Sequence, residues 1–574
     1  MLTSNPKGGA WRNLGRAAAV VALGATLATP AQAVRFKLAD GAIDGSFDTT
    51  IGWGLNMRTE KAESPTNSLY GNRSVAKFEV FTNTVKASHD LSLTGDKWGV
   101  FIRGNYFYDF DAEHETFAGS ADNRLVHHGD VTDAYVYFRF GDDEQFNLRL
   151  GKQVISWGEN TFIGFSINDI NTVDITKLRV PGVELKDAFI GTPAAYLTWQ
   201  INDAWSAEVF TLFAYDEIKV DPSGGFFLTG DSFGDGNQAF RDPATGLCNA
   251  PDGAPMQFGN TICDAGDEIP SGGGQWGLAL RYYAADLGNG VDFGFYYQNL
   301  HDHVFKLGAI AGSAAGGGPE FFRWFPENIE RWGVSWNTTA GSWAWGGEYG
   351  YRKNMKLQGD AAAIFGIGFG AAGGLDLLAA GEGDIRFLTP GTKYKKESVR
   401  DYGHHQLQMT FQRLWGPMPD LAGADQVNTI FEVVHGWVTS MPDNDEFDRF
   451  DESITNNWQG FKGRANLTYN NALFNKVNLT LNTVLNWDLR GYSPEFGGAK
   501  AFIEDRKSFT LGMDFDYKLR YKWGVSHTWF WGGTPSTNDI GDPRTGGPAL
   551  GPGSTPGNGV RDRDFLAFHA SYVF

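Results

Sequence analysis

Three histidine groups and one acidic run are the residues of this chain best typed for chemistry: His127-His128, His301-Asp302-His303, His404-His405, and Asp443-Asn444-Asp445 with Asp448 and Asp451-Glu452. Histidines invite a transition-metal site, but none of these groups has a third ligand at useful spacing. The acidic run has the carboxylates for Ca²⁺ yet lacks the glycine and spacing of a helix-loop-helix site, so a solvated loop is the simpler reading. There is no Gly-x-Ser-x-Gly elbow and no His-Glu-x-x-His. The expectation is therefore no catalytic residue, no cofactor and no metal. A hydrolase with Ser, His and Asp on neighbouring strands is the alternative that a single sequence does not reveal.

The richest polar segment is 157–192. It carries Trp157, Glu159, Asn160, Asn168, Asp169, Arg179, Glu184 and Lys186 among apolar residues, with a turn at Pro181-Gly182. Charged and amide groups on one loop can select solutes if that loop folds into a pore as a constriction. The same composition also suits an outer cap packed on itself.

Such a loop needs a wall. The run Phe47, Thr49, Ile51, Trp53, Leu55, Met57 alternates with Ser46, Asp48, Thr50, Gly52, Gly54, Asn56. A period of two is a strand with one apolar and one polar face. Eighteen such runs start near residues 46, 81, 97, 131, 146, 193, 205, 275, 290, 331, 343, 403, 426, 459, 476, 507, 522 and 563. Their links alternate short and long, and every long link follows an odd-numbered run; 415–425 is the weakest fit. Strands of about ten residues with short turns at one end and long loops at the other describe a transmembrane barrel. The expected fold class is all-β: a transmembrane antiparallel β-barrel of about 18 strands (range 14–18) with long extracellular loops.

By parity the inward rows include Arg103, Asp109, Arg281, Glu348, Arg352, Glu432, Asp514 and Asp516, an expected lumen wall of both signs. Lys152 shares the parity of Leu148 and Leu150, which face lipid. It calls for a bulge, or for a position high enough to snorkel. Trp332/Trp336 and Trp343/Trp345 flank one expected periplasmic turn, Trp199 and Trp205 another, and Trp523 follows a third. They read as interface anchors. Two Gly/Ala-rich stretches, 307–318 and 361–381, suit contact with greasy molecules or lipid, and equally suit lids.

Composition agrees with a barrel. There are 75 Gly, 19 Trp, 20 Tyr and 44 Phe, yet the mean hydropathy is −0.31, and no stretch beyond residue 33 reads as a membrane helix. The net charge of −19 disfavours nucleic acid as a partner. Lys7, Arg12 and Arg16, the apolar run 17–28 and Ala31-Gln32-Ala33 form a secretory leader, giving 1–33 signal peptide and 34–574 barrel. The two cysteines, Cys248 and Cys263, are expected to pair in that oxidising compartment. The final strand, "DFLAFHASYVF", ends on Tyr572 and Phe574, which resemble the signal read by the bacterial outer-membrane insertion machinery.

Residues 148–187, LRLGKQVISWGENTFIGFSINDINTVDITKLRVPGVELKD, resemble a proteobacterial family known only as domain of unknown function number thirteen-oh-two. FKLADGAIDGSFDTTIGWG near the start, and Gly423 to Gln426 followed by Glu432-Val433, are similar to it too. Thr172 stands where the family pattern has Pro, and Leu178-Arg179 where it has paired Arg. The resemblance implies an outer-membrane protein amid lipid and lipopolysaccharide, working beside a periplasmic or lipoprotein partner and an inner-membrane exporter of hydrophobic compounds. The expected function is a porin-like channel for small hydrophobic or amphipathic molecules. A barrel with a blocked lumen, acting as a binding or structural protein, is the alternative.

Overall fold

A strand with one apolar and one polar face satisfies lipid on one side and water on the other, and the computed structural model uses that solution eighteen times. The structure describes residues 34–62, 75–114, 124–222, 225–227, 240–241, 248–249, 263–264, 266–310, 320–358, 393–395, 399–418, 423–440, 454–494, 501–533 and 558–574. The barrel strands are β1 (Ile43–Arg58), β2 (Val80–Thr94), β3 (Trp98–Asp109), β4 (His127–Phe140), β5 (Phe146–Gln153), β6 (Thr192–Gln200), β7 (Trp205–Leu212), β8 (Trp276–Ala284) and β9 (Val291–Leu300). They continue with β10 (Ile329–Ala340), β11 (Trp343–Gln358), β12 (Val399–Met418), β13 (Ala424–Thr439), β14 (Asn457–Leu473), β15 (Val477–Arg490), β16 (Lys507–Tyr517), β17 (Tyr521–Trp531) and β18 (Phe565–Val573). Each expected start lies within four residues of an observed one.

Every strand is antiparallel to its sequence neighbour, and β18 returns to β1, with Thr50 opposite Val573 and Arg58 opposite Phe565. Closure removes the edges that an open sheet would expose. A short strand, Val34–Leu38, pairs with the first residues of β1 and continues the line of β18. All long links leave odd-numbered strands. The doubtful link shortens to 419–423, because β12 runs on to Met418 through register shifts on either side of Gly416.

The outward rows are apolar and exposed, as at Leu278, Leu280, Phe295, Val334, Leu511, Met513 and Phe568. A closed barrel with that outer face belongs in the bacterial outer membrane. Aromatic pairs mark its two ends. Trp199 stacks on Phe146, Trp205 on Tyr282, Trp523 on Phe515 and Tyr572 on Phe574 at the short-turn end. Trp336 and Trp345 meet edge to face in the same half. Trp332 departs from expectation. It packs on Tyr297, which packs on Trp276, and so belongs to the belt below the long loops.

Lys152 is resolved by a bulge. The β3–β4 register shifts beside Arg103, and Lys152 Nζ reaches Asp130 Oδ1 at 3.1 Å. The histidine pairs fail as metal sites for a strand reason: adjacent residues point to opposite faces. His404 is buried inside, against Trp458, while His405 stacks outside on Trp437. His301 and His303 contact the backbone carbonyls of Gly273 and Asp216.

Some expectations fall outside the described residues: the 1–33 leader, the acidic run at 443–452, the 361–381 stretch and residues 311–318. Residues 307–310 lie in a strand (Lys306–Ile310) paired with Glu320–Trp324. Cys248 and Cys263 sit in two-residue strands opposite Arg241 and Glu320; their side chains, and so the expected disulfide, are outside the described set.

Gly151 tests the wall. Its φ is +133°, and a Cβ there would sit 2.3 Å from the Ala134 carbonyl oxygen. Gly151→Val should destabilise the refolded barrel by about 1–3 kcal/mol from backbone strain alone. The midpoint of urea unfolding, followed by tryptophan fluorescence, measures it; an unchanged midpoint contradicts the assignment.

Candidate functional site

The β5–β6 link, residues 154–191, runs inside the barrel and touches inward residues around most of its circumference. A chain without regular structure can do so only if the wall satisfies its backbone. The first arm begins at Trp157, which is fully buried. Its indole donates to Glu208 Oε2 at 2.5 Å, and its ring lies 4.8 Å from Phe210 and 5.6 Å from Tyr296. Ile155, Ile167 and Ile170 join that apolar cluster.

Two wall carboxylates then hold the backbone. Glu348 accepts the N–H of Glu159 at 2.6 Å and of Ile167 at 3.3 Å, and the Gln408 amide at 3.1 Å. Glu432 accepts three consecutive N–H groups, from Thr161 (2.7 Å), Phe162 (3.3 Å) and Ile163 (2.8 Å), and the Thr410 hydroxyl (2.8 Å). Both glutamates have no exposed surface. The loop carbonyls are met as well: Gly164 by Gln406 at 2.8 Å, Ile167 by Gln298 at 3.0 Å and Phe162 by Lys462 at 3.3 Å. Asp169 closes the arm between Arg331 (2.7 Å) and Arg352 (3.1 Å). Burial works against its charge, but the two guanidinium groups outweigh burial and hold its carboxyl below the usual range.

The second arm holds two short helices, α1 (Ile175–Leu178) and α2 (Leu185–Ala188). Asp174 caps α1 by accepting the Thr176 N–H at 3.0 Å, and it pairs with Arg124 at 3.3 Å. Lys177 reaches Asp130 at 3.6 Å. The carbonyls of Arg179 and Pro181 accept from Asn56 (3.1 Å) and Lys86 (3.3 Å). Pro181 comes so close to β1 that a Cβ on Gly54 would lie 2.6 Å from it. Glycine is what permits that approach.

The two arms divide the lumen. Inward polar residues of β9 to β13 are buried beneath the first arm: Gln298, Arg331, Ser335, Glu348, Arg352, Gln406, Gln408 and Glu432. Inward residues of β14 to β17 keep contact with solvent: Arg464, Asn466, Thr480, Asn482, Asn486, Asp514 and Lys522. The loop presents the exposed pair Glu184–Lys186, 2.8 Å apart, towards that side. The hydrogen bond from Lys186 holds the Glu184 carboxyl low, with help from Lys186, Lys522 and Lys86 as charges.

The expected residues thus separate by role. Trp157 and Asp169 are anchors. Glu159 faces Asn337 (2.7 Å), and Asn160 bonds within the loop to Ile163 (2.9 Å). Asn168 is half-buried. Glu348, Glu432 and Arg352 hold the loop, and Arg281 pairs with Glu208 at 2.7 Å. Arg103 pairs with Asp90 at 2.7 Å. Asp109 is spent on the N–H groups of Asn83, Asp111 and Ala112 and on the Thr84 hydroxyl. Asp516 caps the β16–β17 turn through the Leu519 N–H at 2.8 Å. Asp514 faces the open side, 3.4 Å from His569. Lys86, Glu208, Gln298, Arg331 and Lys462 were not among the expected residues, although each has inward parity.

The model of one protein family, described as "Protein of unknown function (DUF1302)", matches residues 14–574. No curated protein matches. Solved structures similar to this chain include OccAB1 of Acinetobacter baumannii (9% identity, 95% of this chain and 98% of that one, TM-score 0.41). Others are OpdK of Pseudomonas aeruginosa with vanillate (9%, 92% and 98%, 0.39) and the outer-membrane channel DcaP of Acinetobacter baumannii (9%, 94% and 99%, 0.36).

Glu432→Ala leaves three consecutive N–H groups without their acceptor, and the buried one, of Ile163, costs about 1–3 kcal/mol. Hydrogen exchange at Thr161 and Ile163 should accelerate by orders of magnitude while β13 stays protected; unchanged exchange refutes the anchor. The Asp169 anchor has a pH signature. Its depressed carboxyl stabilises the loop fully above the ordinary value of 3.8 and loses that contribution as pH falls through its folded value. The difference in exchange at Ile170 and Asn171 between the wild type and Asp169→Asn should therefore stay constant from neutral pH down to about 4, after correction for intrinsic rates, and shrink only below it.

Proposed function

We propose, from the premise that this chain belongs to the DUF1302 family of proteins of unknown function, that it is a narrow channel for small apolar or amphipathic molecules. The inner loop is its selectivity element. The observation that carries the reading is the contrast between walls: beneath the loop the inward polar side chains of β9 to β13 are buried, whereas most of those on β14 to β17, Asp488 and Thr528 apart, keep contact with solvent. A solute would pass along the accessible side, between that wall and Glu184 and Lys186. Charges of both signs line it, with Lys86, Lys186 and Lys522 against Glu184 and Asp514, so weak ion selectivity is expected. Arg179 stands above this passage on the long-loop side, paired with Asp221.

Passage needs no catalytic residue and no cofactor. The family resemblance adds further proposals: a periplasmic or lipoprotein partner, and an inner-membrane exporter that feeds the channel. Removal of the leader after Ala33 and a Cys248–Cys263 disulfide within the 213–275 link belong to the same reading. The fully buried anchors of the first arm favour a second reading, a lumen blocked at rest.

Single-channel conductance of the refolded protein in a planar bilayer decides between them. The wild type should give small ohmic steps. A variant with residues 159–168 replaced by two glycines should conduct several-fold more, since the loop fills a large share of a lumen this wide. A silent wild type beside a conducting variant means a blocked barrel. Equal conductance from two correctly folded proteins means that the loop does not set the path.

A further inference from the structure

The long-loop mouth holds a cavity that the passage alone does not require. It offers about 100 Å³ of room between the inward faces of β2 and β3, α1 below, and the segment 225–227 above. The bulge at the start of β2 creates it. Opposite β1 the register shifts between Asn56 and Met57, which turns Phe81 inward. Phe81 stacks on Phe226 with ring centroids 3.8 Å apart, and Phe227 meets both edge to face. Phe107, Val75, Leu125 and Val180 add apolar surface.

The polar lining is acidic. Among the described residues it carries Glu79, Asp109, Asp111 and Asp221 against one basic side chain, Arg179. Arg179 is engaged: it pairs with Asp221 at 3.2 Å and its guanidinium lies 4.4 Å over the Phe227 ring. Arg58 and Arg563 lie behind Phe226, at 5.4 and 5.9 Å from its centre, and Asp562 sits with them. Counting these, carboxylates still outnumber guanidinium groups. Aromatic faces attract cations, and a carboxylate-rich rim repels anions.

We propose that this cavity binds an apolar organic cation, an aromatic or alkyl ammonium, as the first station on the path from outside. The apolar body lies on Phe81 and Val180, and the ammonium lies over the Phe107 ring on the side of Glu79, Asp111 and Asp221. The floor of the cavity is Thr176, Arg179 and Val180, so a bound molecule rests on the second arm above the Pro181–Lys86 contact. The order of stations rests on the channel reading; binding itself does not.

The test is isothermal titration of the full-length barrel in nanodiscs with benzyltrimethylammonium, and with benzoate as the anion of similar size. The ammonium should bind at least about five-fold more tightly than benzoate, the scale of one cation–π contact. Phe107→Leu, which keeps bulk and removes an aromatic face, should weaken the ammonium about five-fold. Asp221→Asn frees Arg179 and should narrow or reverse the preference. Equal binding of both probes, or an ammonium affinity indifferent to both substitutions, overturns the site. Conductance without ammonium binding sinks the site and leaves the channel; ammonium binding by a barrel that never conducts sinks the channel and leaves the site.

Discussion

The structure depends on one constraint: a peptide segment that crosses a barrel lumen must have its backbone hydrogen bonds completed by the wall. Residues 154–191 contain only two four-residue helices. Their remaining N–H and C=O groups would be left without partners in a filled lumen, at a cost of several kcal/mol in total. The wall answers with side chains matched to the need. Carboxylates meet runs of N–H groups, as Glu432 meets Thr161 to Ile163, and amides or cations meet carbonyls, as Gln298, Gln406 and Lys462 do. Inward residues that look like a charged pore lining are in large part the missing secondary structure of the loop.

That division explains why the lumen is uneven. β9 to β13 supply the partners of the first arm, so their polar groups are consumed and dry. β14 to β17 supply few, and their inward rows mix small or amide side chains such as Thr480, Asn482, Asn486 and Ser526 with the charges of Arg464, Asp514 and Lys522. Small side chains leave room, and amides hydrate without strong charge. Apolar packing reinforces the asymmetry. Trp157, Ile167 and Ile170 press on Phe210, Ala279 and Tyr296, where Gly277 lacks a Cβ that would come within 2.9 Å of the Trp157 ring.

Most of the barrel was legible in the sequence because its two signals are local. Parity identifies strands such as β1 and β16 from a dozen residues, and the alternation of link lengths orders them. The misplacement of Trp332 shows the limit: parity gives the face of a residue and not its height, which depends on strand length and tilt. The Lys152 bulge lies in the β4 register, and within β5 its trace is Gly151, a glycine inside a strand at φ +133°. The loop was legible as a polar segment, and the parity of Glu348 and Glu432 as inward. Their meeting was not, because Glu432 and Thr161 are 271 residues apart and only closure brings them together. Asp109 was read as a pore charge; its four donors show a residue that organises the end of its own strand.

The anchors also separate two properties that a pore must control. Groups buried at full depth, such as Glu348 and Glu432, cannot touch a passing solute, so changes there act through the position of the loop. Glu184 and Lys186 are exposed and tied mainly to each other, so on the channel reading changes there would act on the solute and leave the loop in place. An anchored first arm and a lightly held tip on the second suit a selective constriction: on that reading the frame would fix the width and a few exposed charges would meet the cargo. The bulge that turns Phe81 inward places an apolar surface just outside that tip. An amphipathic molecule would then leave aromatic contact only as it gains polar contact along β14 to β17, and neither surface has to bind it tightly. Weak successive sites, rather than one strong one, are what permit passage.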